Sequence, residues 1–530
     1  MIIHILLAAF YIENCISFNI LVYSPAFANS HQNFMGHLAD TLTDAGHNVT
    51  LVVPIADEGR RNVLGIKTTK QVVFIELDEI AKKEIVAVDS SMTSLWTEVA
   101  TAEDTEKNFF WFTDLMEKTC ANVMRSKTLL DELKSKDFDV AIIEPLSVCG
   151  LGLFRKLGIE KTILSTSCAH YDFLFPWIGE PNHPSYVPAT TSPTNDKMTI
   201  RERFENYKYY KYMRDNMEIL FDKEEQLYKK YYGDEISTWK ELLPSASMYF
   251  TNSNPFIDFP RPVIQKTIPI GGISVNMDHI LSQKLPKEWD EILDLRPKTM
   301  LISFGSMVKS HEMPDNWKSN LLKVIKSLPS VTFIWKYESS DTEWSKNVSN
   351  VYFSRWIPQT ALLVDNRVSA FLTHGGLGSV NELAHCGKPA LMIPIFADQT
   401  RNSKMLARHN GSIYLDKHEL GNYEVIYSAI SSILFDESYN LNAQRLAQII
   451  ANQPVKPKDL VIQYTEFVAK HGPFPTMDPY VRNLNFIQKH CLDCFFLYYS
   501  SYIISKTAVI ISVSIVVFKI TNAITSGGCK

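Results

Sequence analysis

Short apolar runs alternate with helix-like stretches along most of the chain. From Phe18 the sequence reads NILVYSP, carries a helical pattern from about Asn33 to Ala45, stops at Gly46 and resumes as NVTLVVP. That order is strand, helix, strand, because glycine ends helices and a short apolar run between turn formers makes a buried strand. The same rhythm returns in DVAIIEP, KTILSTS and MYFTNS. Strands apolar on both faces belong to parallel sheets covered by helices on each side. Residues 18–285 therefore read as one doubly wound domain, with an aromatic and charged helical excursion from about 195 to 243.

After LSQKLPKEW the pattern restarts. TMLISFGS, a helix from about Asn316 to Leu328, VTFIWKY, VYFSRWIP, VSAFLTHGG and PALMIPI predict a second parallel sheet within residues 286–455. Two such α/β domains facing each other form a cleft. Residues 456–494 follow as a helical tail, and Phe495–Phe518 is then apolar over the length that crosses a bilayer. Lys506 lies inside that run, where a centred charge costs about 2.5–3.5 kcal/mol. At the other end, residues 1–17 join an apolar stretch to Cys15 and Ser17 at the small positions of a cleavage site, the pattern of a signal peptide. They lack a basic start, so a buried first strand is the competing reading. A cleaved leader and one C-terminal span predict a type I membrane protein with a luminal body and residues 519–530 as its cytosolic tail.

Composition refines this picture in three places. A chain of 530 residues exceeds one hydrophobic core, in keeping with two domains. Its net charge of -5, with no basic run interleaved with aromatics, excludes nucleic acid as a partner class. Eight cysteines form no zinc pattern in the body of the chain, and a pairing among Cys120, Cys149, Cys168 and Cys386 is left open. Asn48, Asn347 and Asn410 begin glycosylation triplets, Asn48 at the start of a predicted buried strand.

The densest chemistry lies between Trp356 and Asn402. Thr373–Ser379, THGGLGS, is a glycine-rich turn after a strand, and helix-forming Ser379–Cys386 follows it. Amides at such a helix start hold phosphate, although glycine also serves wherever backbones pack closely. His374, a donor to a phosphate oxygen, and Glu382, one helical turn on, favour the anion site.

With WIPQ at 356–359 and FADQ at 396–399, this stretch closely resembles the UDP-glycosyltransferase family that includes the animal UDP-glucuronosyltransferases, and the resemblance covers nearly the whole chain. It implies the GT-B architecture, two facing Rossmann-like domains with the acceptor on the first and the UDP-sugar mainly on the second. It implies that Trp356 stacks on uracil and that Gln359 bonds near base and ribose. His374, Gly376, Ser379 and Ser306 would approach the diphosphate, Glu382 the ribose hydroxyls, and Asp398 and Gln399 the hydroxyls of the sugar. His31, just after the first strand, corresponds to the family's catalytic base, whereas His37 and His47 fall on the following helix and after its stop. Glu144 stands where many relatives carry the aspartate that orients this histidine, so a side chain one methylene longer must reach the imidazole.

The implied reaction is an inverting single displacement without metal or cofactor, the UDP-sugar being co-substrate. Phe109, Phe110, Trp111, Phe112, Tyr171, Phe173, Phe175 and Trp177 suit a small lipophilic acceptor, or simply core packing. Arg401 beside FADQ is a candidate partner for a sugar carboxylate, and glucuronate and glucose stay equally open as the transferred group. A silent UDP-sugar-binding membrane protein or regulatory partner is the alternative to an active transferase. A homo-oligomer is possible, and the resemblance implies the endoplasmic reticulum, although the tail lacks lysines at the third and fourth positions from its end.

Overall fold

The computed structural model describes residues 17–85, 93–99 and 101–526, so all of the signal-like stretch but Ser17 lies outside the described residues, as does the extreme end of the tail. The first sheet has seven parallel strands: β1 Asn19–Tyr23, β2 Asn48–Pro54, β3 Gln71–Ile75, β4 Val140–Ile143, β5 Thr162–Thr166, β6 Met248–Thr251 and β7 Thr267–Pro269. Their order is β3-β2-β1-β4-β5-β6-β7. The second sheet has β8 Lys298–Ser303, β9 Val331–Lys336, β10 Val351–Ser354, β11 Val368–Thr373, β12 Ala390–Met392 and β13 Ser412–Tyr414, ordered β10-β9-β8-β11-β12-β13 and also parallel. The edge strands β3, β7 and β13 are not among the strands predicted above: β7 and β13 span only three residues each, whereas β3, QVVFI, carries an apolar run as long as that of β4. They complete the sheets by pairing with β2, β6 and β12.

Both sheets reverse their winding direction once, between β1 and β4 in the first and between β8 and β11 in the second. Loops leaving the carboxyl ends of such neighbouring strands diverge to opposite faces and open a crevice. Each face of each sheet is buried under apolar side chains, with Leu21, Leu164 and Tyr249 on one side of the first and Ile20, Val22 and Ile142 on the other. The layers are therefore helix, sheet, helix in both domains.

Eight helices matter below: α1 Asn29–Asp44, α2 Ala102–Arg125, α3 Cys149–Lys156, α4 Ile200–Tyr232, α5 Leu377–Cys386, α6 Gln399–Ala407, α7 Pro457–His471 and α8 Leu492–Ser526. The predicted excursion is chiefly α4, held by α3 from below. Glu224 of α4 accepts from Ser147 Oγ at 2.7 Å and from the amides of Val148 and Cys149 at 2.6 and 3.2 Å. It thereby caps the start of α3. Burial pushes this carboxyl up to about 8 against those hydrogen bonds. Close approach is possible because position 152 is glycine: a Cβ there would lie 2.5 Å from the ring of Tyr228.

The predicted helical tail begins with α7, which returns to the first domain and places Val461, Val468 and Ala469 in one core with Leu38, Val49 and Met248. Residues 479–530 form a separate unit. Its α8 exposes its apolar side chains along 35 residues and overruns the predicted span at both ends, long and apolar enough to cross a membrane. Asn48 does begin a buried strand, but its own side chain is exposed and its amide donates to Asn19 Oδ1 at 2.8 Å.

Cys120 of α2 is bonded to Cys149 at the start of α3, and Cys168 and Cys386 are free. Closing a loop of 29 residues in the unfolded chain stabilises the fold by about 3–4 kcal/mol in the chain-entropy picture. Replacing both cysteines by alanine should lower the urea midpoint of unfolding by a corresponding amount. An unchanged midpoint would show that the two thiols are not joined.

Candidate functional site

The winding reversal of the first sheet sets His31 and Glu144 side by side, since β1 leads into α1 and β4 leads directly to Glu144. The helix starts earlier than its polar first residues suggest, at Asn29, so His31 stands on its first turn rather than in the loop before it. His31 Nδ1 lies 2.9 Å from Glu144 Oε2 and 2.8 Å from Ser167 Oγ. The longer glutamate thus reaches the imidazole. Its other oxygen, Oε1, accepts from the Ser167 amide and from the Tyr171 hydroxyl, each at 2.8 Å.

These contacts decide the charges. Burial opposes protonation of His31, but the charge and hydrogen bond of Glu144, with a smaller field from Asp398, outweigh it and raise the imidazole above its ordinary value. Burial likewise works against ionised Glu144, and His31 with Ser167 overcomes it, lowering the carboxyl. With Nδ1 committed, Nε2 is the ring nitrogen left to act on an incoming group.

Ser167 and Tyr171 are the members of this cluster that sequence reasoning did not assign. Tyr171 is not a wall of an acceptor pocket as its composition class suggested: it is 3% exposed, bonded to Glu144 and stacked on Phe173. Phe173 and Phe175 are core, whereas Phe110 and Trp111 point outward at 59% and 40% exposure. Trp177 packs edge-on against Trp239. The apolar surface beside His31 is built instead by Phe27, 4.7 Å from the His31 ring, with Phe112 and Phe109 behind it. Phe27 sits in a loop, where no periodicity marks it.

In the second domain the same topological logic gathers the other predicted residues at the carboxyl ends of β8, β10, β11 and β12. Trp356 is 76% exposed, an indole in the loop after β10. Gln359 Nε2 donates to Ser379 Oγ at 3.2 Å and to Glu382 Oε2 at 2.5 Å, joining the WIPQ turn to α5. Burial pushes Glu382 up to about 7 despite the Gln359 hydrogen bond.

His374 is pressed between two glycines: a Cβ on Gly305 or Gly376 would stand 2.6 or 2.7 Å from its Nε2. Gly305 also has φ +85°, a conformation that suits glycine. Burial, then the charge of Lys336, lowers His374 to about 4, so its ring is neutral at physiological pH. Ser306 is exposed next to Gly305, and α5 starts at Leu377 with no side-chain cap, leaving its amides for an acceptor.

Asp398 accepts from Asn402 Nδ2 at 2.8 Å, and the preceding Ala397 has φ +55°. The side-chain oxygen of Gln399, a buried residue, accepts from the amides of Ile395 and Phe396 at 2.9 and 3.1 Å. Arg401 is not at a sugar subsite. It is 1% exposed, paired with Asp258 at 2.7 Å and laid over the Phe259 ring, because one turn into α6 the helix faces the first domain. Asn381 of α5 also reaches across, donating to Asn252 at 3.4 Å, and Asn252 donates to the Ser167 carbonyl at 2.8 Å.

Residues 19–527 match the family model described as UDP-glucoronosyl and UDP-glucosyl transferase. Among similar proteins, Caenorhabditis elegans ugt-55 is 30% identical over 418 residues, 78% of this chain and 80% of that protein. UDP-glucuronosyltransferase 1A4 of Oryctolagus cuniculus is 28% identical over 421 residues, 79% and 76% of the two chains. Among solved structures, a UDP-glucosyltransferase from Polygonum tinctorium capable of glucosylating indoxyl aligns with TM-score 0.57 at 14% identity, covering 87% of this chain and all of that one. Phytolacca americana UGT2, solved with UDP-2fluoro-glucose and pterostilbene, aligns with TM-score 0.56 at 15% identity, over 86% of this chain and 100% of its own. These folds are GT-B.

A raised carboxyl destabilises the free protein once it ionises. The Glu382 proton is held more tightly in the folded than in the unfolded chain, so stability is highest below about pH 4.5 and declines as pH rises towards 7. Glu382→Gln should therefore raise the melting temperature at pH 8, gain little at pH 4.5, and weaken UDP about tenfold, a lost charge-assisted hydrogen bond being of that size. Equal melting temperatures at pH 8 would count against a buried, ionising Glu382.

Proposed function

The chain belongs to the UDP-glucuronosyl and UDP-glucosyl transferase family and is a glycosyltransferase using a UDP-sugar, and from that premise we propose that it transfers a glucuronosyl or glucosyl group to the hydroxyl of a small lipophilic acceptor, with His31 as general base. The observation that carries this reading is the His31–Glu144 pair at 2.9 Å, locked by Ser167 and Tyr171 and adjoining the Phe27 surface.

An acceptor hydroxyl seated against Phe27 gives its proton to Nε2 as its oxygen attacks the anomeric carbon. The bond from that carbon to the UDP oxygen breaks on the opposite side, so the product is inverted. The imidazolium formed is stabilised by Glu144, which stays ionised because its lone pairs are already satisfied. Asp398 and the Gln399 amide would hold sugar hydroxyls, and Ser306, His374, Gly376 and Ser379 the diphosphate. Trp356 offers the face for uracil, while Gln359 and Glu382 meet ribose. A neutral His374 donates a hydrogen bond without adding charge, leaving Lys336 as the nearby cation named by its field on that ring. The α8 helix supports a membrane-anchored protein, read here as type I with both domains luminal in the endoplasmic reticulum.

UDP release from membranes carrying the chain, with UDP-glucuronate and UDP-glucose supplied separately beside a panel of phenols and apolar alcohols, tests this. Acceptor-dependent release with one donor is expected, reduced by about 10²–10⁴-fold in His31→Ala. UDP binding without release by any acceptor would favour the silent partner. In Glu144→Gln the rate should fall and the acidic limb of the pH profile should move to lower pH, since the carboxylate is what raises His31 and activity needs the neutral ring. A limb that stays in place would remove Glu144 from the base.

A further inference from the structure

One short segment of the first domain is built into the core of the second. Between β3 and α2 the chain passes through residues 93–99, where Thr93, Ser94, Thr97, Glu98 and Val99 are exposed but Trp96 is 0% exposed. Trp96 and its half-buried neighbour Leu95 are the first-domain members of a core made otherwise of second-domain side chains, including Met300, Phe304, Val308 and Met313. The indole meets the Phe304 ring edge-on at 5.0 Å, and its Nε1–H donates to the Lys309 carbonyl at 3.3 Å. Tryptophan buries about 150–250 Å², a large anchor for so short a segment.

The anchor lies where the donor loops are set. Phe304 precedes Gly305 and Ser306, so the loop is held at Phe304 by the Trp96 indole and at Gly305 by the His374 imidazole. Lys417 Nζ donates to the Leu95 carbonyl at 2.5 Å and to the Ile395 carbonyl at 3.0 Å. Ile395 opens the loop that ends at Asp398 and Gln399, whose side-chain oxygen holds the Ile395 amide. His418 Nε2 lies 3.3 Å from the Thr97 carbonyl, a further tie to the same segment. One first-domain segment thus braces both loops read as carrying diphosphate and sugar contacts.

We propose that Trp96 is a positioning residue for the UDP-sugar: the donor site is completed by a wedge from the first domain, and without it the loops carrying Ser306 and Asp398 lose their register. The proposal rests on the assignment of that cleft to a UDP-sugar. It separates from ordinary packing in its consequence, because donor affinity then depends on a residue outside the donor-binding domain.

In the full-length chain, Trp96→Leu should weaken UDP in calorimetric titration on the order of tenfold, the scale of a buried tryptophan anchor, and raise KM for the donor while kcat at saturating donor changes by less than about threefold. Trp96→Phe, which keeps a ring against Phe304, should recover most of the loss. Hydrogen exchange should quicken at residues 304–309 and 395–399 and stay at the wild-type rate elsewhere. Wild-type UDP affinity with wild-type exchange at those loops in Trp96→Leu would overturn the proposal, as would a loss confined to kcat. If Trp96→Leu does not fold, Lys417→Met decides in its place, weaker UDP supporting the brace and unchanged UDP refuting it. If the wild-type chain itself does not bind UDP, the functional reading fails, and loop exchange alone then supports or refutes the wedge.

Discussion

A carboxylate withdrawn to 4% side-chain exposure stays ionised only if its surroundings replace the water it has lost, and the cleft is organised around meeting that requirement at Glu144. The replacements come from three parts of the chain. His31 arrives from the start of α1, Ser167 from the end of β5, and Tyr171 from the turn that follows, its own amide held by the Tyr249 hydroxyl. Only a parallel sheet whose winding reverses between β1 and β4 brings the ends of those elements to one point. Charge on Glu144 then raises His31, whose ring lies beside the phenylalanine surface.

The second domain meets the opposite electrostatic condition. Glu382 and His374 are buried with no opposite charge to offset it, and burial, joined at His374 by the charge of Lys336, drives Glu382 up to about 7 and His374 down to about 4. A cleft set this way is costly for the free protein, and under the proposed function a nucleotide would offset that cost by supplying hydroxyls to the carboxyl and oxygens to the ring and the helix amides. Stability is given up locally where binding needs unsatisfied groups.

Interlocking ties join the two conditions. Arg401 and Asp258 form a buried ion pair across the domains, Asn381 and Asn252 carry a hydrogen bond from α5 towards Ser167, and Trp96 enters the second core. A buried ion pair adds little net stability compared with apolar packing, but its breaking leaves an uncompensated charge. That asymmetry holds a relative placement of the domains and keeps Asp398 close enough to His31 to affect its titration.

Much of this was legible in the amino-acid order. Runs apolar on both faces announce parallel strands, the glycine-rich turn at 373–379 announces a strand leading into a helix, and 24 consecutive residues from Phe495 to Phe518 announce a helix long and apolar enough to cross a membrane, because each depends on local pattern alone. Their combination with WIPQ and FADQ identified the family and the residues at strand ends. What tertiary structure decided is everything that depends on distant partners. Tyr171 changed from pocket aromatic to carboxylate donor, Arg401 from sugar ligand to domain tie, Cys120 found Cys149, and Trp96 left its own domain, since a side chain's role follows from what the folded backbone sets beside it. The charges of His31 and Glu144 belong to the same class: sequence names the two groups, but only burial and a 2.9 Å separation determine which of them holds the proton.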